Sequence, residues 1–290
     1  MRIIHFSDIH SGCCPRTPSF LFDKRLLGSL NFYLRRRNVF KPEFVSRAVS
    51  QIKIMVPDLV ICTGDLTSVG SPEEFDVALA ALKPLLDHFG ERFLYVPGNH
   101  DTYVRDHRCR AGLEAAFATL NSGRWTLAEM PQELVLQHLH LFLLNECQPT
   151  NWLLSCGKLS EVAHARLTQW LAKEKGAREK RVLVGHFPLR DPSGHPLHWR
   201  RRLNGSNFLA NALKQGQLDL SLCGHDHQPS LRRYENDAME ICAGSLTQHG
   251  RINVVDYSPQ TGRFKQFWVD LFLDKTPPLP IANALVTAVD

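Results

Sequence analysis

The chain has no Cys-x-x-Cys pair, although eight cysteines stand at positions 13, 14, 62, 109, 147, 156, 223 and 242. Their irregular spacing argues against a disulfide scaffold and against a thiolate zinc site, and a reducing cytoplasm is the expected compartment. Cys62 and Cys223 fall inside apolar runs and read as small core residues. No apolar run approaches the ~18 residues of a spanning helix. The opening Met-Arg-Ile-Ile-His enters a strand pattern directly and leaves no room for a signal peptide. Internal repeats, low-complexity tracts and an added nucleic-acid module are also missing, so no specific nucleic-acid partner is expected. Oligomeric state leaves no trace. Acidic residues are scarce in one stretch. Between residues 15 and 47, Asp23 and Glu43 stand against Arg16, Lys24, Arg25, Arg35, Arg36, Arg37, Lys41 and Arg47, a net of +6 in a chain of net +5. The field that draws anions is therefore concentrated there.

What the chain does have is five short polar blocks, each placed after an apolar run of strand type. The runs are 2–7, 58–63, 93–97, 181–184 and 219–223. The blocks are Asp8-Ile9-His10, Gly64-Asp65, Gly98-Asn99-His100-Asp101, Gly185-His186 and Gly224-His225-Asp226-His227. Together they bring four carboxylates, one carboxamide and five imidazoles to strand ends, the oxygen and nitrogen donors that hold divalent transition metals. A lone aspartate at a strand end is more often a helix cap, and a lone histidine more often a satisfied loop residue. Joint occurrence in five blocks reverses that reading and points to a dinuclear centre.

In these blocks and their order the chain resembles the calcineurin-like metallophosphoesterase family, whose pattern is D-x-H, G-D, G-N-H-[D/E], a lone His and G-H-x-H. The likeness covers roughly residues 1–257. It implies an α/β fold, a four-layer α/β/β/α sandwich of two mixed sheets. It also implies two divalent cations, manganese favoured over iron or zinc, with Asp65 as the shared ligand. Asp8, His10 and His227 would complete one metal site, and Asn99, His186 and His225 the other. Two cations about 3.5 to 4 Å apart acidify a water and clamp phosphoryl oxygens for in-line attack. The reaction implied is hydrolysis of a phosphodiester or pyrophosphate bond by a metal-activated hydroxide. By the same resemblance His100 stays off the metals and faces the scissile phosphate, with Asp101 holding its tautomer. Asp226 reads as a loop residue between two ligands.

The periodicity alternates strand and helix: strand 2–7, helix 43–55, strand 58–63, helix 72–89 and strand 92–97. Ser71-Pro72-Glu73-Glu74 is a start signal for the second helix, with a capping serine, an early proline and acids in the first turn. Strand-like runs follow at 134–138 and 140–145, then a helix from 160 to about 175. The segment 187–205, rich in Pro, Gly, His and Arg, reads as a long active-site loop. Within it His195, His198 and the run Arg200-Arg201-Arg202, Arg200 foremost, are candidates for touching a second phosphate or a headgroup of the substrate. Runs at 230–235, 238–243, 251–257 and 264–271 suggest antiparallel pairing. One catalytic domain over 1–273 is expected, carrying a basic insert at about 15–42 and followed by a tail, 274–290.

Inside the insert, Leu26, Leu27, Leu30, Tyr33 and Leu34 suggest an amphipathic helix flanked by basic clusters, with Arg36 a candidate substrate contact. Such a helix can lie on an anionic membrane face or cap an acyl chain. It can equally pack on the domain with its arginines in water. The chain accordingly resembles the hydrolases of UDP-2,3-diacylglucosamine in lipid A synthesis, a lipid-linked substrate met at the inner membrane face. It is also similar to soluble phosphodiesterases of cyclic nucleotides and small diesters. A third reading, a protein-binding scaffold that has lost its metals, conflicts with a complete ligand set.

Overall fold

The apolar runs pair into two mixed sheets in a computed structural model of the chain, which describes residues 1–272 apart from 14, 17, 37 and 177. The expected tail and the side chains of 18, 19, 35 and 36 lie outside the described residues. In chain order the elements are β1 (Arg2–Phe6), α1 (Lys24–Asn31), α2 (Glu43–Met55), β2 (Leu59–Cys62), α3 (Pro72–Phe89), β3 (Phe93–Tyr95) and α4 (His107–Leu120). Next come β4 (Gln132–Leu136), β5 (Leu139–Leu143), β6 (Gly157–Lys158), α5 (Glu161–Ala172), β7 (Lys180–Val184), β8 (Leu203–Asn204) and α6 (Ser206–Lys214). The last are β9 (Leu220–Cys223), β10 (Ser230–Arg233), β11 (Met239–Cys242), α7 (Leu246–His249), β12 (Arg251–Ser258) and β13 (Arg263–Asp270).

One sheet runs β13-β12-β1-β2-β3 and the other β10-β11-β9-β7-β5-β4. Strands β1, β2 and β3 are parallel, as are β5, β7, β9 and β11, and the outer strands pair antiparallel. Side-chain parity assigns the layers. Leu139, Leu141, Leu143, Val182, Val184, Leu220 and Leu222 join the core that also holds α2, α3, α4 and the first sheet. Their neighbours Phe142, Leu144 and Leu183 turn the other way, onto Leu167 and Leu171 of α5 and Leu209 and Leu213 of α6. The result is the expected four layers, since alternate residues of a strand face opposite sides. Each of these buried aliphatic side chains contributes ~1.5–3 kcal/mol. Parallel pairing points β1, β2, β3, β7 and β9 so that their carboxyl ends, where ligands gather in open α/β sheets, carry the five blocks.

Three helices have no counterpart in the sequence reading, the four-residue α7 among them. In α4 the buried positions Cys109, Leu113, Ala116, Phe117 and Leu120 keep helical spacing, capped by Asp106, but small residues dilute the apolar signal. Helix α6 is only nine residues long. The 187–205 segment contains no helix, and its β8 end pairs with β6 in parallel.

The start of α3 is the expected one: Ser71 and Glu74 form a reciprocal capping box. Glu74 is buried and accepts from the Val69 and Ser71 N–H groups at 3.0 and 3.1 Å. Burial nevertheless pushes its carboxyl from 4.5 up to about 7, against the pull of those donors. A value raised on folding adds stability that is complete below the unfolded pKa and is lost as pH rises through the folded one. Wild type should therefore lose on the order of 3 kcal/mol from this group between pH 4.5 and 7. Glu74→Gln should flatten that part of the slope in thermal melts, and an unchanged slope would refute the assignment.

Candidate active site

Backbone hydrogen bonds tie the first block to the second and the fourth to the fifth. The Asp8 and His10 N–H groups donate to the Gly64 and Asp65 carbonyls, both at 3.0 Å, and Gly224 N–H donates to the His186 carbonyl at 2.9 Å. Ser245 Oγ and Thr247 Oγ1 close the ring from α7's side, donating to the carbonyls of Asp8 at 2.8 Å and Ile9 at 2.9 Å. Asp8, His10, Asp65, His225 and His227 all have φ between 50° and 68°. Side chains other than glycine meet a steric penalty there of roughly 1–3 kcal/mol each. Of the nine such residues among those described, five belong to this cluster. Strain is thus concentrated where the blocks converge. Gly98 permits a close approach, because a Cβ there would overlap the Asp65 carboxylate.

The side chains fall into two groups that meet at Asp65. In the first, His10 Nε2 lies 3.6 Å from Asp8 Oδ1, 3.8 Å from Asp65 Oδ2 and 2.9 Å from His227 Nε2. His227 Nε2 is 3.4 Å from Asp8 Oδ1. These four residues can bring one donor atom each within 4.8 Å of all the others. In the second, Asn99 Oδ1 is 3.1 Å from His186 Nε2 and 2.7 Å from His225 Nδ1. His186 Nε2 lies 3.5 Å from Asp65 Oδ2. The same Asp65 oxygen therefore faces both groups, while Oδ1 is held by the His100 N–H at 2.7 Å.

The donor chemistry fits divalent cations. Asp8 Oδ1 and Asp65 Oδ2 are buried without a hydrogen-bond partner, an expensive arrangement unless a cation completes it. Carbonyls set the tautomers: His10 Nδ1 faces Thr67 O at 3.1 Å and His186 Nδ1 faces Thr63 O at 2.6 Å. A carbonyl only accepts, so the Nδ1 proton is fixed and the Nε2 lone pair points inward. Burial alone would raise the Asp65 carboxyl, yet His186 and the other imidazoles hold it well below the usual range. Burial likewise opposes the His186 cation, but Asp65 pulls that ring up to about 10. A cation at His186 would therefore compete with a proton for Nε2.

His100 stands beside these groups. Its Nδ1 faces the Ser68 carbonyl at 2.6 Å. Asp101 does not hold this ring as expected. Its Oδ1 accepts from Thr67 N–H and Oγ1, both at 3.0 Å, and Oδ2 accepts from Tyr95 Oη at 2.8 Å and Gly98 N–H at 2.9 Å. Asp101 is a buried brace for the turn, and its carboxyl is raised by burial and by Asp65. A sequence neighbour points away from its neighbour's side chain when the turn is this tight.

The candidate substrate contacts are scattered. His195 lies in an exposed turn closed by Asp191, to whose Oδ1 its N–H donates at 2.9 Å. His198 is exposed beside Trp199, and the Arg200 guanidinium lies 5.0 Å from the Trp199 ring centre. The loop's guanidinium that reaches the centre is that of Arg201, bonded to Asp226 Oδ1 at 3.1 Å. The Arg36 side chain lies outside the described residues.

Two contributors were missed. Glu146 is buried and accepts from the His186 and Phe187 N–H groups, both at 2.9 Å, which fixes the His186 loop. Burial pushes its carboxyl up to about 7. The signal was an acid just past a parallel strand, β5. Phe40, at the end of the basic insert, stacks on His10 with ring centres 5.0 Å apart and planes within 7°. The insert therefore reaches the centre itself.

The family profile of calcineurin-like phosphoesterases matches residues 1–229. The chain belongs to that family. Among solved structures, a candidate 5′-nucleotidase from Staphylococcus aureus aligns over 97% of this chain and 56% of its own, at 15% identity and TM-score 0.54. The purple acid phosphatase PPD1 of yellow lupin aligns over 97% and 57%, at 11% and 0.52. The protein TT1561 of Thermus thermophilus aligns over 92% and 97%, at 11% and 0.50. This calcineurin-like chain thus spans little more than half the length of the first two, and such identities speak for the fold alone. Comparison with curated proteins finds no match. Family and fold thus agree on a calcineurin-like phosphoesterase domain. No helix of the described residues is long and apolar enough to cross a membrane.

Proposed function

We propose that the chain hydrolyses a phosphodiester or pyrophosphate bond at a dinuclear centre. Asp8, His10, Asp65 and His227 would hold one cation, and Asp65, Asn99, His186 and His225 the other. The observation that carries this reading is the unpartnered Oδ2 of Asp65, buried between two groups of nitrogen and oxygen donors. When bound, manganese, iron or zinc at such a centre supplies Lewis acidity toward phosphoryl oxygens and water. The chain's own residues do the rest. Thr63 and Thr67 carbonyls aim the imidazoles, the His100 backbone N–H orients Asp65, and the His100 ring, one proton held on Nδ1 by Ser68, would as an imidazolium give its second proton from Nε2 to a leaving oxygen.

For the substrate, the insert favours an acylated nucleotide, with UDP-2,3-diacylglucosamine the leading candidate. Helix α1 is turned inside out for a surface helix. Its Lys24 and Arg25 are buried while Leu27 and Leu30 are about half exposed, and beyond its ends Phe22 and Leu34 are 86% and 76% exposed. That disposition opposes the alternative of leucines packed inward with arginines in water. The adjoining 150–154 loop, tied to Lys24, adds exposed Trp152 and Leu153. An apolar, basic rim beside a phosphate site suits acyl chains, a membrane face, or both. A soluble phosphodiesterase acting on a cyclic nucleotide remains the second reading, because the metal centre itself is indifferent to the ester's tail.

A panel decides. With Mn²⁺ added, UDP-2,3-diacylglucosamine in detergent should be turned over in strong preference to a cyclic nucleotide and to bis(p-nitrophenyl) phosphate, and Leu27→Asp with Leu30→Asp should erase that preference. Equal turnover of all three would remove the acylated substrate, and no turnover of any would remove the diesterase and pyrophosphatase reading.

A further inference from the structure

Helix α1 is fastened to the His100 turn through one aromatic ring. Tyr103 stacks on the His100 imidazole, ring centres 5.3 Å apart and planes 16° from parallel. The Lys24 ammonium lies 4.4 Å from the centre of the Tyr103 ring. It also donates to Thr150 Oγ1 and the Leu154 carbonyl, both at 3.0 Å. One turn further along α1, Gly28 comes so close that a Cβ would sit 2.8 Å from Tyr103 Oη and 2.6 Å from Val69 Cγ1. Val69 follows Ser68, whose carbonyl takes the His100 Nδ1 proton. Glycine inside a helix costs about 1 kcal/mol against alanine, and here it permits that contact. Two supports of the His100 ring, the stacked face and the Nδ1 acceptor, thus rest against α1, while His10 meets the ring edge-on with centres 4.9 Å apart.

We propose that Tyr103, backed by Lys24 and Gly28 of α1, is a positioning residue that sets the orientation of the His100 imidazole. The function assigned to that orientation rests on the reading of His100 as proton donor; the orientation itself does not. Lys24 is suited to the role because it brings a buried charge to the ring face, an attraction strengthened where water is excluded. Displacing the imidazole even slightly from the line of proton transfer is costly, since a misplacement of ~1 Å can reduce turnover on the order of 100-fold. The insert would in this way have two uses: its outward leucines meet the ligand, and its inward face steadies the group that serves the reaction.

The test compares Tyr103→Leu, Tyr103→Phe and Gly28→Ala in the full chain, with and without Zn²⁺, by the side-chain NMR resonances of His100 and by steady-state kinetics. Leucine removes the stacked ring, phenylalanine keeps it, and alanine improves helix propensity while pressing α1 off Tyr103. In Tyr103→Leu and Gly28→Ala the His100 ring protons should move downfield as ring-current shielding is lost, and in Tyr103→Phe they should stay. Turnover should fall roughly 10- to 100-fold in Tyr103→Leu with KM nearly constant, and phenylalanine should restore it. Unmoved His100 resonances in Tyr103→Leu, or an equal loss of turnover in Tyr103→Phe, overturn the proposal. A wild type that hydrolyses nothing would instead sink the hydrolase reading, while the resonances still judge the coupling.

Discussion

Replacing Asp65 by asparagine is expected to abolish hydrolysis and to uncouple thermal stability from added metal. The carboxylate has its two oxygens in different employment. Oδ1 accepts the His100 N–H at 2.7 Å, and Oδ2 is buried without a partner, 3.8 Å from His10 Nε2 and 3.5 Å from His186 Nε2. Asparagine can keep the first contact through its carbonyl and so preserves the loop. It then presents an NH₂ donor where both donor groups converge, and neither cation keeps its shared oxygen. Loss of an outer partner of a metal ligand costs roughly 10- to 100-fold, and loss of the shared ligand should cost well beyond that. Wild type should gain about 2.7 kcal/mol of stability at a metal concentration 100 times Kd. Melting curves of Asp65→Asn should show almost none of that gain, and elemental analysis should find less than one equivalent of the second ion. A variant that still binds two equivalents and turns over at the wild-type rate would remove Asp65 from the centre.

The features visible in the sequence are those set by short-range rules. An apolar run ending in Gly-Asp or Asn-His announces a buried strand and its rim, and the Ser71 to Glu74 cap fixes the start of α3 to the residue. What the sequence concealed depends on distant chain. Asp101 looks like a tautomer holder beside His100, but Tyr95 and Thr67 claim its oxygens across the turn. Glu146 showed only as an acid just past β5, because its partners, the N–H groups of His186 and Phe187, lie forty residues on. In α1 the pattern was readable and its direction was not: Asp23 and Asp106 draw Arg25 inward, which leaves the leucines facing out. Arg201 was one of three adjacent arginines, and only Asp226 distinguishes it. Charge pairing across the fold therefore decides orientations that hydrophobic periodicity leaves open.

Replacing His100 by alanine should separate the chemistry from the metals. The ring belongs to neither donor group, so the variant should bind both ions as wild type does. Its Nδ1 proton is committed to the Ser68 carbonyl, which leaves Nε2 as the nitrogen that exchanges a proton with the departing oxygen. A leaving alkoxide or sugar hydroxyl needs that proton, and turnover of such a substrate should fall about 10²- to 10⁴-fold, the usual worth of a positioned acid. A p-nitrophenolate departs as an anion and gains little from protonation, so the loss with bis(p-nitrophenyl) phosphate should be much smaller. The ratio of the two losses is the diagnostic. Equal losses of about 10²- to 10³-fold would recast His100 as a fixed charge-stabilising donor rather than an acid. No loss with either ester would take it out of the reaction and revive the scaffold reading, whose cellular phenotype survives this substitution. Because Tyr103 bears on the same ring, Tyr103→Leu should reproduce a fraction of the alkoxide-specific loss and add nothing in the His100→Ala background, as residues acting through one group do.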